Sequence, residues 1–337
     1  MDLGLSEEQS ELIGSFANLF AKSSPAEKVR AAEPMGFDPS LWQTLLATGA
    51  VEMAAPEAAG GWGATLEDLV LIAEQLGRAA APAPLIEAQI AARLLAAAEA
   101  DGLAELLQGE LLATLAVRPV LGDKAPLVPA GAVCDEVVFF NGTNLMRATV
   151  QDDDRVDVGN LASAPLADLA LRDCRTLLEG ERASAAFERA VDEWLTLTAS
   201  AVVGLGSAAH ELGCRYAAER VAFGAPIGTF QGVAHPLADD ATALDGARLL
   251  ARKAAWALDR DHERGRELAA MAFAFACESA EKATYNALHF HGGYGFMLEY
   301  DVQLHYRRVR GWSRVWGDAA TAMSRAADAR FGVRGAV

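Results

Sequence analysis

The sequence predicts a mainly α-helical protein with a small β domain in its middle, and three observations carry that expectation. Long Ala-rich stretches with apolar residues every three or four positions fill the chain from Ala183 onward, a second set of helical repeats fills the first third, and short β-branched and aromatic runs broken by turn residues lie between them. The chain has 337 residues, 52% of them hydrophobic and 22% charged, enough for two or three buried cores and far from a disordered composition. The order helix, strand, helix divides it into 1–110, 111–182 and 183–337.

The first helix starts at Ser6-x-x-Gln9, which has the form of a capping box, and continues through Leu12, Ile13, Phe16, Leu19 and Phe20 at helical spacing. Leu41 to Thr48 is a second candidate. The segment Pro56 to Gly63 is too rich in Gly to hold a helix; Leu66 to Gly77 then puts Leu69, Ile72, Ala73 and Leu76 on one face before a Gly stop. Pro82 and Pro84 precede another helix, Ile86 to Ala98. Val117, Val120, Leu127, Val128, the run Val137 to Phe140, the turn Asn141-Gly142 and Met146 to Val150 read as short strands. Asp152-Asp153-Asp154 has no further ligand at a coordinating spacing and reads as a solvated hairpin tip, so no metal site is expected. Ala183 to Arg220, Gly232 to Asp259 and Glu263 to Phe290 have the length and pattern of bundle helices.

The 29 Lys+Arg against 46 Asp+Glu give a formal charge of −17. Nucleic acid is excluded as a partner, because releasing counterions from phosphate needs a positive field. Four scattered cysteines form neither a C-x-x-C pair nor a disulfide framework. The stretch Met1 to Gln9 is acidic where a signal peptide is basic, and no apolar run approaches a membrane span, so a cytoplasmic protein is expected. No Walker loop or G-x-G-x-x-G turn is present.

Two segments stand out. In Arg220-Val221-Ala222-Phe223-Gly224-Ala225-Pro226-Ile227-Gly228-Thr229-Phe230-Gln231 a long helix ends in an Arg, an aromatic, two glycines, a Pro and a Gln; its bland alternative is a helix terminus with an aromatic plug and an Arg in a surface salt bridge. In His289-Phe290-His291-Gly292-Gly293-Tyr294-Gly295-Phe296, followed by Glu299-Tyr300 and the basic Arg307-Arg308-Val309-Arg310, the glycines let a backbone approach a bulky anion closely.

Together these segments resemble the acyl-CoA dehydrogenase family, whose pattern R-x-x-F-G-x-x-I-x-x-F-Q is followed by a helix pair, by H/Q-x-x-G-G-x-G-[YF]-x-x-E-Y and by a basic helix. Pro56 to Gly63 (P-E-x-x-G-G-x-G) and Glu74 to Arg78 (E-x-L-G-R) agree, so the resemblance covers nearly the whole chain. It implies an N-terminal helical domain, a middle β domain and a C-terminal four-helix bundle. It also implies FAD as cofactor, an acyl-CoA thioester as substrate, α,β-dehydrogenation as the reaction, and an electron-transfer flavoprotein or similar acceptor. The family's roles at an FAD held mainly by a neighbouring subunit fall on Arg220, Phe223, Gln231, His289, Gly292 and Gly293. A guanidinium can hold a phosphate with two parallel hydrogen bonds, and a Phe supplies an apolar wall beside it.

The reaction needs a carboxylate base, and both places where the family keeps one read as indoles. Counting on from Gly292-Gly293 without gaps, the catalytic Glu of most members falls at Trp316, followed by Gly317 and Asp318; counting back from Phe223, the alternative position falls at Trp194, with Glu193 before it. Asp318 and Glu193 remain as candidate bases beside capping or solvated roles. The β region departs too: T-E-P-x-x-G-S-D becomes Val117-Arg118-Pro119-Val120-Leu121-Gly122-Asp123, and the later W-I-[TS] strand is missing.

Such losses resemble the short, base-lacking subunit of actinobacterial α2β2 acyl-CoA dehydrogenases of steroid side-chain breakdown. That resemblance implies a longer homologous partner subunit and a steroid-CoA among the candidate substrates. The alternatives are a self-sufficient homo-oligomer with a displaced base and a catalytically silent assembly subunit. Arg307, Arg310 and Arg314 form one helical stripe, read mainly as structural pairing with nearby carboxylates.

Overall fold

The computed structural model describes residues 4–332; the first three residues of the acidic N-terminus and the last five of the 183–337 division lie outside the described residues. Ser6 caps α1 (Glu7–Ser23): its hydroxyl accepts from the Gln9 amide at 3.1 Å while the Gln9 side chain accepts from the Ser6 amide at 3.3 Å. The apolar stripe buries Phe16 and Phe20. After α2 (Ala26–Ala31), the Asp38 carboxylate accepts from the Ser40 and Leu41 amides and starts α3 (Pro39–Ala47). Two single turns, Glu52–Ala54 and Glu57–Ala59, take up the Gly-rich segment before α4 (Leu66–Arg78), α5 (Leu85–Ala97) and α6 (Leu103–Leu107).

The middle of the chain forms β1 (Ala113–Leu115), β2 (Lys124–Val128), β3 (Glu136–Phe140), β4 (Asn144–Thr149), β5 (Arg155–Asp157), β6 (Ala167–Ala170) and β7 (Arg175–Glu179). One sheet has the order β1-β3-β4-β7, with β1 parallel to β3 and the other pairs antiparallel; the second has the order β2-β6-β5. β3 is buried along its whole length, as its unbroken Val-Val-Phe-Phe run requires. It turns into β4 through Asn141, whose side chain accepts from the Thr143 and Asn144 amides. Val117 and Val120 lie beyond β1, yet the Ala116 and Val120 amides still bond the Val138 and Phe140 carbonyls.

Two features correct the sequence reading. β5, β6 and β7 follow the last expected strand. Asp152–Asp154 is a 3₁₀ turn rather than a solvated hairpin tip: Asp152 is exposed, but Asp154 is buried and faces the Arg172 guanidinium at 3.2 Å. Burial there follows from a long-range cation that no local spacing reveals.

From Gly180 the chain is mainly helical: α7 (Gly180–Glu219), a two-stranded hairpin of β8 (Val221–Ala222) and β9 (Ala225–Pro226), then α8 (Gln231–Asp259), α9 (Gly265–Phe290), α10 (Val302–Trp312) and α11 (Ala319–Phe331). Packing divides the chain into two units. One comprises the chain up to Ala26, Val70–Ala81 and the chain from Leu195; the other comprises Glu27–Leu69 and Pro82–Trp194.

The bundle unit has an alanine core. Ala247, Ala251, Ala254 and Ala255 of α8 are wholly buried, as are Ala269, Ala272, Ala276, Ala280, Ala283 and Ala287 of α9. Glycine brings α4 and α7 together: a Cβ on Gly77 would stand 1.8 Å from the Ala201 carbonyl oxygen, and one on Gly204 would stand 2.1 Å from that of Glu74. The other unit holds the sheets with α2, α3, α5, α6 and the start of α7, where Phe140 and Phe187 stack at 5.1 Å.

Candidate functional site

In the bundle unit the ends of the two helices that lead into the motif segments meet. Tyr216, one turn before the end of α7, stacks on the ring of His291, the residue after α9, with centroids 4.2 Å apart and planes at 23°. The His291 Nδ1 lies 2.7 Å from the Ala287 carbonyl oxygen, which fixes the ring, and Tyr300 closes on its edge at 6.0 Å. Segments some seventy positions apart, one carrying Arg220 and one carrying Gly292-Gly293, are thereby tied to one end of α7 and α9. Sequence reasoning missed both Tyr216 and His291 as joining residues. The signal available was an aromatic one helical turn before the Arg and a His inside the glycine motif.

Next to Arg220 the chain makes a tight two-residue turn. Val221 pairs with Pro226 and Ala222 with Ala225, leaving Phe223 and Gly224 as a two-residue loop with φ of +51° and +85°. Positive φ at both central positions gives the hairpin the sense of a type I′ turn, which favours Asn or Gly. A Phe there costs about 1–2 kcal/mol, because its Cβ crowds the following carbonyl oxygen. Burial among the described residues does not offset that cost, since Phe223 is 98% exposed, with the edge of Phe230 at 6.2 Å between ring centroids. Strain of this kind clusters at ligand clamps and other functional sites.

The neighbouring groups fit an anion with a flat ring system. Arg220 is exposed and makes no ion pair among the described residues, unlike the surface salt bridge that was its bland alternative. Gln231 opens α8, whose N-terminus has no side-chain cap and no acidic residue in its first turn. At Gly292 and Gly293 a Cβ would meet nothing within 4 Å; Gly292 has a φ of +61°, but at Gly293 neither backbone conformation nor internal packing demands glycine. Gly295 is the contrast, since a Cβ there would come 2.2 Å from the Leu288 carbonyl oxygen. His289 is exposed and stacks parallel to Tyr285 at 5.8 Å.

The positions read as base sites are occupied otherwise. Trp316 packs edge-on against Phe273 at 6.2 Å with the Arg325 guanidinium over its ring. Asp318 caps α11, accepting from the Thr321 amide at 2.8 Å and its hydroxyl at 2.7 Å; these bonds hold its carboxyl below the usual range. In the other unit, buried Glu193 accepts from Arg93 Nε at 2.8 Å, Arg93 Nη2 at 3.0 Å and Arg189 Nε at 2.7 Å. Burial alone would raise its pKa, but the two guanidiniums together lower it. Asp318 and Glu193 are thus engaged as a helix cap and the centre of an ion triad, and both are weakened as proton acceptors.

Trp194, only 2% exposed, points its Nε1–H at a carboxylate that the sequence did not bring forward, Glu87 Oε1 of α5 at 3.4 Å. Burial pushes the Glu87 carboxyl up against its own backbone hydrogen bond and the Trp194 N–H. A lone Glu in the first turn of a predicted helix has no sequence signal of this environment.

The basic stripe is structural. Glu281 takes Arg314 at 2.7 Å and Arg310 at 3.5 Å, and Arg307 donates to Gln303 at 2.7 Å. Among the described residues no group of three or more His, Cys, Asp or Glu is arranged to hold a metal, and no helix is long and apolar enough to cross a membrane.

Comparisons with known proteins bear on the whole chain. Residues 6–104 match the family model "Acyl-CoA dehydrogenase, N-terminal domain" and residues 186–329 match "Acyl-CoA dehydrogenase, C-terminal domain". Acyl-CoA dehydrogenase IpdE2 of Mycobacterium tuberculosis is 31% identical over 313 residues, covering 90% of this chain and 92% of that one. A solved variant of the Tcur3481–Tcur3483 steroid ACAD superposes with a TM-score of 0.85 at 25% identity over 96% of this chain and 98% of that one. The ChsE4–ChsE5 complex of Mycobacterium tuberculosis shares the fold, with a TM-score of 0.88 at 21% identity over 99% of this chain and 100% of that one.

Proposed function

The chain belongs to the acyl-CoA dehydrogenase family, and from that premise we propose that it is the non-catalytic subunit of an FAD-dependent acyl-CoA dehydrogenase, completing the FAD site of a longer homologous partner in an α2β2 assembly. The observation that carries this reading is the Phe223 hairpin, which keeps a strained aromatic almost wholly outside its own chain. Arg220 would clamp a phosphate of the cofactor, Phe223 would wall its adenosine end, and the first turn of α8 at Gln231 would meet the anion with free amides. Gly292 and Gly293 would let the backbone come close beside His289. When bound, FAD accepts the hydride lost from the β-carbon of the acyl group. The α-proton has no acceptor at Trp194 or Trp316, so its removal falls to the partner subunit.

The substrate is an acyl-CoA thioester, and the likeness to a steroid ACAD supports a steroid-CoA. Electrons pass on to an electron-transfer flavoprotein or similar acceptor. The division 1–110, 111–182 and 183–337 is retained as the domain organisation, and the assembly is placed in the cytoplasm.

A second reading has one observation behind it. In a self-sufficient enzyme Glu87, with its raised pKa beside Trp194, is a better base than Asp318 or Glu193. Co-expression with a longer family member, followed by measurement of FAD per assembly and acyl-CoA-dependent reduction of an artificial acceptor, separates the two. Flavin and turnover only in the complex are expected. A yellow, active preparation of this chain alone overturns the subunit reading, and abolition of that activity by Glu87→Gln establishes the second.

A further inference from the structure

Glycine loses more conformational freedom on ordering than any other residue, so a Gly-Gly backbone that is to meet a ligand in one arrangement has to be fixed from outside itself. Gly292 and Gly293 have one short turn bond, from the Gly295 amide to the Gly292 carbonyl oxygen at 3.0 Å, and no packing at the place of a Cβ. Their flanks are held by rings. His291 is 6% exposed, its Nδ1–H donates to the Ala287 carbonyl oxygen at 2.7 Å, and its ring stacks on Tyr216 at 4.2 Å. Tyr294, on the other side of the pair, packs against Tyr300 with centroids 5.5 Å apart, and Tyr300 also meets the edge of His291 at 6.0 Å. Both ends of the glycine pair are thus gathered on one tyrosine, which itself packs on the buried cluster of Ala209, Ala287 and Val302.

The same rings reach the base of the Phe223 hairpin. The Arg220 amide donates to the Tyr216 carbonyl oxygen at 2.8 Å, and the Ile227 amide closes the hairpin on the Arg220 carbonyl oxygen at 2.8 Å. We propose that Tyr216, His291 and Tyr300 are positioning residues for the FAD edge, a ring clasp that sets the Gly292–Gly293 backbone and the base of the Arg220 hairpin in one arrangement before the cofactor arrives. The proposal rests on the reading of that edge as part of a flavin site. None of the three is among the six residues assigned to the cofactor above; they act through those residues. A clasp formed in advance removes the cost of ordering a glycine backbone and a hairpin from the binding step, and that saving appears as affinity.

Amide hydrogen exchange of the free chain, together with FAD retention by its complex with a longer family member, tests the clasp. His291→Ala should speed exchange across 292–300 and 220–227 by about two- to ten-fold, the worth of one ring pair, and leave 269–280 of α9 unchanged. FAD retention in the complex should weaken by a like factor, at least about three-fold. His291→Phe, which keeps the stack and gives up the Nδ1 bond, should bring both quantities back to within about two-fold of the native chain. Tyr216→Leu carries the test if His291→Ala does not fold. Unchanged exchange, faster exchange with FAD retained as before, or failure of phenylalanine to rescue overturns the positioning role. A native complex that holds no flavin overturns the reading of the edge, and the proposal with it.

Discussion

At the α7–α9 end of the bundle unit, Arg220 and Phe223 are turned out from their own chain, whereas in the other unit Glu193 and Trp194 are fully engaged by it. Arg220 has no ionic partner among the described residues and Phe223 sits in a strained, exposed turn; Glu193 holds two arginines and Trp194 is buried against Glu87. All four belong to segments compared with the family's functional motifs. Only the first pair leaves capacity for something outside the chain, and that contrast argues for a subunit that completes a neighbour's site and against one that runs its own chemistry.

The largest expected effect strikes the inward side. Glu193→Ala strands two partly exposed guanidiniums and should destabilise the folded chain by about 3 kcal/mol, the lower end for a broken buried pair, seen as a lower midpoint in urea unfolding. An unchanged midpoint would mean the triad is not a structural unit. On the outward side, Arg220→Ala should weaken FAD retention in the assembled complex at least about ten-fold, with the urea midpoint of this chain unmoved. Loss of stability instead of flavin would reverse the comparison.

Phe223→Gly sharpens it further, because one substitution should move two quantities in opposite directions. Relief of the positive φ should stabilise the free chain by about 1 kcal/mol, while loss of the apolar wall should weaken FAD retention. A destabilised chain would show that Phe223 serves its own fold. Asp318→Ala should cost about 1 kcal/mol through the lost cap of α11 and leave turnover of the complex intact; lost turnover would restore Asp318 as a candidate base.

The finest distinction is one of pH. Glu193 has a depressed pKa in the folded chain, so its stabilisation is present above the ordinary carboxylate value of 4.5 and is lost as pH falls below it. Glu87 has a raised one, so the fold loses stability as pH climbs above 4.5 and Glu87 must ionise in place. Urea midpoints measured across pH should therefore show a smaller acid-side drop in Glu193→Gln and a smaller fall above 4.5 in Glu87→Gln, because other carboxylates shift in the same directions and keep part of each slope. Parallel profiles for both variants would refute the assigned environments.

Local signals made much of the fold legible. The Ser6 box and the α8 and α9 stretches follow from capping geometry and apolar period, which act within a few residues; the expected stop at Gly77 does not hold, since α4 runs through it to Arg78 and glycine there serves the close approach to Ala201. β5 to β7 were not legible, because three- to five-residue strands such as Arg155–Asp157 carry too few side chains for an alternation and are held by their partners. At the site, Arg220, Phe223 and the glycine pair were visible as a motif, but the joining of the helices that carry them was not. It depends on Tyr216 stacking on His291, a contact between helices far apart in the chain.

The sequence by itself determined the long helices of the bundle, that the middle is β, that both customary base positions are indoles, and that any basic phosphate site in so acidic a chain must be local; the short helices α2 and α6 and the helix α11 were not legible in it. Only the tertiary structure decided which charges are consumed. Arg93 and Glu193, a hundred positions apart, neutralise each other, while Arg220 meets no such partner. Ion pairing and burial depend on distance through space, and that distance exists only once the helices have packed.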